Sequence, residues 1–191
     1  MRLKVRKPSI PERLWPPLAA GLLMLVVGAA AYVTSQPFLY PSLGPTAFLQ
    51  AEFPFHRTSQ FRDTTIGHLI GVAAGLAAVF VVGARSEPNL DVAMRLPPRR
   101  IAAAALTVTL VILLQLLFKI SNPPSAGTGL LFALGFFQPR AIDVAEVLVG
   151  VLFMASFGAL IRHYRLKAPS DAMASEFVDA NQEDATFSPR G

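Results

Sequence analysis

The chain has 191 residues, of which 53% are hydrophobic and 15% are charged, with a net charge of +5 and no cysteine. This composition, together with a positive mean hydropathy, predicts an integral membrane protein with several spans and excludes an ordinary soluble domain. The lack of cysteine excludes disulfides, thiolate catalysis and cysteine-based metal sites.

Four long apolar segments are predicted to be transmembrane helices. In chain order they cover residues 14–34, 64–84, 101–118 and 141–161. Each is close to the length that crosses a hydrocarbon core of about 30 Å at about 1.5 Å per residue. The basic residues 1–13 and the apolar stretch after them resemble a signal peptide, but we interpret this stretch as a retained first span.

Two shorter apolar segments, 37–53 and 120–139, carry the same signature, Pro-Ser-x-Gly, at Pro41–Gly44 and Pro124–Gly127. Proline and glycine interrupt helices, and serine can cap a new one. Each signature therefore predicts unwound backbone followed by a short helix that begins at membrane depth, where transporters commonly bind their substrates.

The distribution of lysine and arginine predicts the orientation of the chain. Twelve of these residues lie in 1–13, 85–100 and 162–167, against four in the other membrane-flanking loops. The positive-inside tendency then favours four full spans, with both termini and the 85–100 loop in the cytoplasm. In this arrangement the two signature segments are re-entrant and enter from the outer side.

The predicted fold is an all-α polytopic membrane protein with four transmembrane helices, two re-entrant half-helices and a two-fold internal repeat. Residues 14–84 and 101–161 each contain a span, a signature, a polar turn and a second span. We interpret them as two parallel repeats related by an axis along the membrane normal. Residues 162–191 are predicted to be a disordered cytoplasmic tail.

The two predicted half-helices suggest an anion site. The first turn of each would present unpaired amide donors and the positive end of a helix dipole. Hydroxyl and amide side chains near them can coordinate a small ion, and two glycines permit close approach: Ser42, Thr46, Asn122, Ser125 and Thr128, with Gly44 and Gly127. The alternative is that these hydroxyls only cap the helices and the prolines only shape the turns.

Two features of the second span each allow two interpretations. His68 is the one histidine inside a predicted span, which suggests a proton relay or an ion ligand. Its position near the predicted outer interface favours the alternative of a neutral, hydrogen-bonded histidine. Gly67, Gly71 and Gly75 form a smooth stripe, for which internal helix packing is favoured over a subunit interface.

Three motifs in the same order resemble the HPP family of small membrane proteins: Tyr40–Ala47, Gly67–Gly71 and Asn122–Thr128. The resemblance covers residues 14 to 161. It implies four transmembrane helices and, from the plant plastid members, nitrite transport. The name-giving His-Pro-Pro of the family falls at 122–124, where this chain has Asn-Pro-Pro.

We therefore expect passage of a small inorganic anion, with nitrite as the leading candidate, across the inner (plasma) membrane of a cell. The alternatives are an anion channel and a non-transporting assembly or scaffold protein. No enzymatic motif is present, and no metal, cofactor or nucleic-acid partner is expected. The expected partners are the anion, the lipid bilayer and a second copy of the chain in a homo-oligomer.

Overall fold

The computed structural model describes residues 14–89 and 95–166, and these form α-helices joined by turns, with no β-strand among them. The predicted N-terminal region 1–13 and residues 167–191 of the predicted tail 162–191 lie outside the described residues, whereas 162–166 are helical. The six α-helices are α1 Trp15–Thr34, α2 Leu43–Glu52, α3 Phe61–Val82, α4 Pro98–Phe118, α5 Ser125–Ala133 and α6 Ala141–Leu166.

Four of these helices, α1, α3, α4 and α6, are long and apolar enough to cross a membrane, and they coincide with the four predicted spans. α1 and α4 both begin at prolines, whose missing N–H costs nothing in a first turn. Both end at a left-handed residue, Ser35 and Lys119 respectively. The next amide then bonds back into the helix, from Gln36 to the Ala31 carbonyl and from Ile120 to the Gln115 carbonyl. The two halves of the chain thus reverse direction with the same local geometry.

α2 and α5 are short helices that begin at the two signatures, as predicted. They have 10 and 9 residues, which at about 1.5 Å per residue gives about 15 Å, half of a hydrocarbon core. Proline precedes both starts, and the backbone before each is not helical. Neither helix is long enough to cross a membrane by itself.

α5 runs parallel to α3 because three glycines of α3 leave room for it. A Cβ on Gly67 would overlap the Asn122 side chain, one on Gly71 would overlap the Ser125 carbonyl, and one on Gly75 would overlap the Gly129 carbonyl. Without these side chains the two backbones touch. The glycine stripe is therefore an internal packing surface between the two halves, as the sequence favoured.

The segment from Lys119 to Gly135 connects opposite ends of the bundle. We call these the Phe61 end, where α3 begins, and the Val82 end, where it ends. Near the Phe61 end, Arg57 donates to the Lys119 carbonyl. At the Val82 end, Arg100 in the first turn of α4 donates to the Ala133 carbonyl at 3.1 Å. The re-entrant path predicted for 120–139 is not confirmed, because the segment does not return to the end at which it started.

α2 runs antiparallel to α3 and therefore to α5. Its first turn meets α5 through Ser42 and Thr128, and Thr46 meets His68. Near its end, the Leu49 carbonyl accepts from Ser59, which lies just before α3. α2 thus leads from the middle of α3 to the Phe61 end. Parallel repeats are not confirmed, because the two short helices run in opposite directions with their starts together.

α1 and α6 complete the arrangement around α2. After α1 the chain folds back, so that Leu39 lies against Gly28. α2 packs on α1, where Leu23 and Val27 are buried whereas Tyr32 is 87% exposed. Because the chain enters α2 near Gly28 and covers the part of α1 that precedes it, α2 runs antiparallel to α1. α6 runs parallel to α2, since Phe38 packs on Gly150 and Gln50 packs on Gly158.

α3 is the central helix, and the outer helices present apolar side chains to the surroundings. Half of the apolar window of α3 is buried, against 17% for α1 and 22% for α4. Large apolar side chains on the outer faces of these two helices include Leu18, Leu22, Leu25, Ile112, Leu116 and Leu117. Such surfaces match lipid, which leaves the polar groups on α2, α3 and α5 inside.

Candidate functional site

His68 joins the two short helices. Its Nε2 lies 3.0 Å from the Thr46 hydroxyl on α2, and its Nδ1 lies 2.6 Å from the Thr128 hydroxyl on α5. Thr128 also lies 2.8 Å from the Ser42 hydroxyl. We refer to Ser42, Thr46, His68 and Thr128 as the His68 cluster. Four of the eight predicted site residues therefore form one hydrogen-bonded group.

The His68 cluster is closed in this conformation. Ser42 is 6% exposed, and the other three members are exposed by 1% or less. Gly127 lies against the Ser42 Cβ, so the two signatures touch directly. A ligand can reach these hydroxyls only if the surrounding helices move.

The first-turn amides of α2 and α5 are not free donors, and the prediction that they are unpaired is wrong. Each turns back onto a carbonyl three residues earlier, which the tight proline-containing turns permit. The bonds are Leu43 to Tyr40, Gly44 to Pro41, Ser125 to Asn122, Ala126 to Pro123 and Gly127 to Pro124. The donors available at these helix starts are therefore side-chain hydroxyls.

Asn122 and Ser125 belong to a neighbouring group with Gln115 of α4, which we call the Gln115 cluster. The side-chain N–H groups of Gln115 donate to the Ser125 hydroxyl at 2.6 Å and to the backbone carbonyl of Asn122 at 3.0 Å. The side-chain oxygen of Gln115 accepts from the backbone N–H of Asn122 at 2.9 Å. The Ser125 hydroxyl donates to the Asn122 carbonyl. This geometry fixes the turn that starts α5.

The remaining predicted residues lie beside these clusters. Asn122 donates from its side chain to the Thr58 carbonyl at 3.2 Å, while its side-chain oxygen is buried and has no hydrogen-bond partner in the part of the chain that the structure describes. Gly44 has no atom within 4 Å of where a Cβ would stand, so no close approach requires glycine there.

An ion pair anchors the chain at the Phe61 end. Asp63, 2% exposed, bonds Arg57 at 3.0 Å and accepts from the Ser121 amide at 3.2 Å. Arg57 also holds the Lys119 carbonyl. The start of α3 is thereby tied to the segment that precedes α5.

A buried arginine fixes the opposite end of α5. Arg100 is 2% exposed and donates to carbonyls of Glu87, Pro88, Phe132 and Ala133. The last carbonyls of a helix lack partners within it and carry negative partial charge, so a guanidinium satisfies both needs. This arginine is structural, and its charge is not available to a ligand in the His68 cluster.

Sequence reasoning missed two buried amides, Gln115 and Gln50. Gln50 lies on the same face of α2 as Ser42 and Thr46, is 2% exposed, and finds no hydrogen-bond partner among the described residues for either polar atom of its side chain. A polar residue inside an uncharged apolar run was the available signal. Within residues 14–89 and 95–166, no group of three acidic, histidine or cysteine side chains could hold a metal ion.

Comparison with known protein families agrees with the motifs. The family model for the transmembrane region of HPP proteins matches residues 5–169. The chain belongs to the HPP family. Neither the curated proteins nor the solved structures contain a match to it. Membership in the HPP family confirms the resemblance seen in the motifs and the assignment as a membrane protein.

Proposed function

We propose that this HPP protein transports a small inorganic anion across the membrane. The observation that carries the proposal is the His68 cluster, a buried polar group where the starts of two short helices meet. Nitrite is the leading candidate, because the resemblance to the plant plastid members of the family implies it.

The chemistry of the His68 cluster suits a small monovalent anion. The positive ends of the α2 and α5 dipoles point at the same place, and hydroxyls supply donors that can replace part of a hydration shell. No acidic side chain is bonded to the cluster within the described residues. A negative ion would therefore meet favourable partial charges and no like charge.

We propose that the two halves have inverted topology and cross the membrane with three segments each. In an inverted repeat, the site lies at the midplane between broken helices, and rocking of one half against the other alternates access. The closed state of the cluster fits an occluded intermediate. The stripe Ser42, Thr46 and Gln50 on α2 gives a polar path from the cluster to the Phe61 end.

This topology changes the proposed position of one loop. Both termini stay in the cytoplasm of a plasma-membrane protein, on the side of the Phe61 end. The connection between α3 and α4 then lies outside, whereas the sequence favoured a cytoplasmic 85–100 loop. Lipid is the surrounding partner, and a homo-oligomer remains a prediction.

Nitrite flux into sealed vesicles containing the purified protein tests the proposal. We expect uptake above that of protein-free vesicles. The Ser42→Ala variant should reduce it about tenfold or more, since a hydrogen bond to a charged group contributes about 1.5–3 kcal/mol. Thr109→Ala is the matched control, because this exposed hydroxyl bonds only its own helix, at the Ala105 carbonyl.

The outcomes also separate the alternatives. Undiminished flux in a folded Ser42→Ala protein would contradict the proposed site. Absence of flux in the unaltered protein would favour a packing role for the signatures and a scaffold function. Flux that never saturates with nitrite concentration would favour a channel over a carrier.

A further inference from the structure

The hydrogen bonds of the His68 cluster have a defined direction. The Thr46 hydroxyl donates to the Ser42 carbonyl at 3.2 Å, so its oxygen must accept from His68 Nε2–H. His68 Nδ1 is then the acceptor for the Thr128 hydroxyl, and Thr128 in turn accepts from Ser42. With a single proton on the ring, only this assignment satisfies all four contacts, because each hydroxyl has a single hydrogen. The imidazole is neutral in it.

Protonation of His68 would reverse part of this chain. With hydrogens on both nitrogens, Nδ1 donates to Thr128, and the Thr128 hydroxyl must turn to donate to Ser42. The Ser42 hydrogen then has no acceptor left in the cluster. The result is one free hydroxyl donor and one positive charge at the point where the two helix starts meet.

Among the described residues, no charged side chain is bonded to His68 to balance that positive charge. The residues bonded to its ring are Thr46 from α2 and Thr128 from α5. The nearest acidic group on α3 is Asp63, which is paired with Arg57. The other described charged and histidine residues also lie in turns or toward helix ends: Glu52 at the end of α2, His56 and Arg57 before α3, Arg62 in its first turn, Arg85 and Glu87 after it, Arg95, Arg99 and Arg100 at the start of α4, Lys119 after it, and Arg140, Asp143, Glu146, Arg162, His163 and Arg165 at the two ends of α6.

We propose that His68 couples anion transport to proton transport, so that one proton and one monovalent anion cross together. This inference rests on the proposed anion transport. The proton binds Nδ1 from the solution on one side and leaves to the solution on the other, while the released Ser42 hydroxyl donates to the anion. The proton frees the Ser42 hydroxyl that the anion accepts from, and the anion neutralises the positive charge on His68. Each ligand therefore raises the affinity of the protein for the other. The pair crosses without moving net charge.

The unaltered protein in vesicles gives the first measurement, with nitrite as the probe and a pH-sensitive dye inside. Protein-free vesicles measure the leak of neutral nitrous acid. An inward proton gradient should accelerate protein-dependent nitrite uptake by about fivefold or more, and uptake should acidify the interior. Nitrite exchange at equal pH on both sides tests transport alone. Exchange without any effect of the gradient would overturn the coupling and leave the proposed function standing, whereas absence of exchange would overturn both.

A histidine substitution then locates the coupling. His68→Gln keeps a donor and an acceptor but cannot be protonated, so the ratio of gradient-driven uptake to nitrite exchange at equal pH should fall to about one, whatever rate of exchange the variant retains. His163→Gln alters an exposed histidine near the end of α6 and should behave like the unaltered protein. Gradient-driven uptake that persists in His68→Gln would overturn the assignment to His68. If this variant does not fold, the gradient response of the unaltered protein still decides whether coupling exists.

Discussion

Ser42 and Ser125 occupy the same place in the two signatures but have different partners. Ser42 bonds Thr128 within the His68 cluster. Ser125 bonds Gln115 and the carbonyl of Asn122, which is three residues earlier. If the Ser42 hydroxyl turns to a ligand, it gives up its bond to Thr128. If the Ser125 hydroxyl turns, it gives up a bond that holds the turn before α5. We therefore expect the two serines to fail differently when they are substituted.

Ser125→Ala should lower stability more than transport. Loss of its hydrogen bonds should cost about 0.5–1.5 kcal/mol of unfolding free energy, since the bonds are buried and neutral. Nitrite flux per folded molecule should stay within about twofold, a change of about 0.4 kcal/mol. Thermal unfolding in detergent, with flux normalised to folded protein, measures both. Loss of flux at unchanged stability would show that Ser125 belongs to the site.

Residue identities were partly predictable. The signatures pointed to Ser42, Thr46 and Thr128, and the intramembrane histidine pointed to His68, because polar groups are rare in apolar spans. The partner of Ser125 was not predictable, since it comes from α4 by a contact distant in the sequence. Gln115 and Gln50 were not predicted, because they are uncharged amides that lie outside the two signatures.

At the scale of elements, the contact between α3 and α5 depends on glycine. A Cβ at Gly71 would overlap the Ser125 carbonyl, which is backbone and cannot move aside without shifting α5. α3, which contains Gly71, also contains His68, the histidine that joins α2 to α5. Close packing here and correct placement of His68 are therefore linked.

Gly71→Ala should destabilise the protein by about 1–3 kcal/mol, the range for overpacking a tight interior. Gly21→Ala is the matched control, because Gly21 lies within α1 and has nothing within 4 Å of its Cβ position. That change should be neutral or stabilising by up to about 1 kcal/mol. Thermal unfolding of both variants in the same detergent gives the comparison. Equal unfolding temperatures for the two would contradict the close contact.

The helices themselves were predicted well because length and apolar composition are local properties. The four spans and the two short helix starts lie within a few residues of the expected positions. The paths of the short segments were not predictable, because they depend on distant contacts such as Arg100 with Ala133 and Gln138 with Asn89. These contacts fix the last residues of α5 and the turn after it at the Val82 end of the bundle.

At the scale of the molecule, charge counting could not decide between the two topologies. The four-span arrangement separates the membrane-flanking lysines and arginines as twelve against four. In the proposed inverted arrangement, residues that precede α1 and follow α6 are counted with the Phe61 end. The division is then eleven against five, the five being Arg85, Arg95, Arg99, Arg100 and Arg140. The positive-inside tendency therefore favours the four-span arrangement by a single residue, and one of the five, Arg100, is used to hold α5.

In the proposed inverted topology, the two halves cross the membrane in opposite senses, so that α2 and α5 meet start to start. Because the chain lacks cysteine, a single thiol reports its own side without background. Gln60→Cys lies just before α3 and Ser86→Cys just after it, and both positions are exposed.

The decisive measurement is labelling of these two variants in intact cells with a thiol reagent that cannot cross the membrane. The inverted topology predicts that the cysteine at position 86 reacts from outside and the one at position 60 reacts only after the membrane is opened. Reaction of position 60 from outside, with position 86 protected, would contradict the account and restore the four-span arrangement.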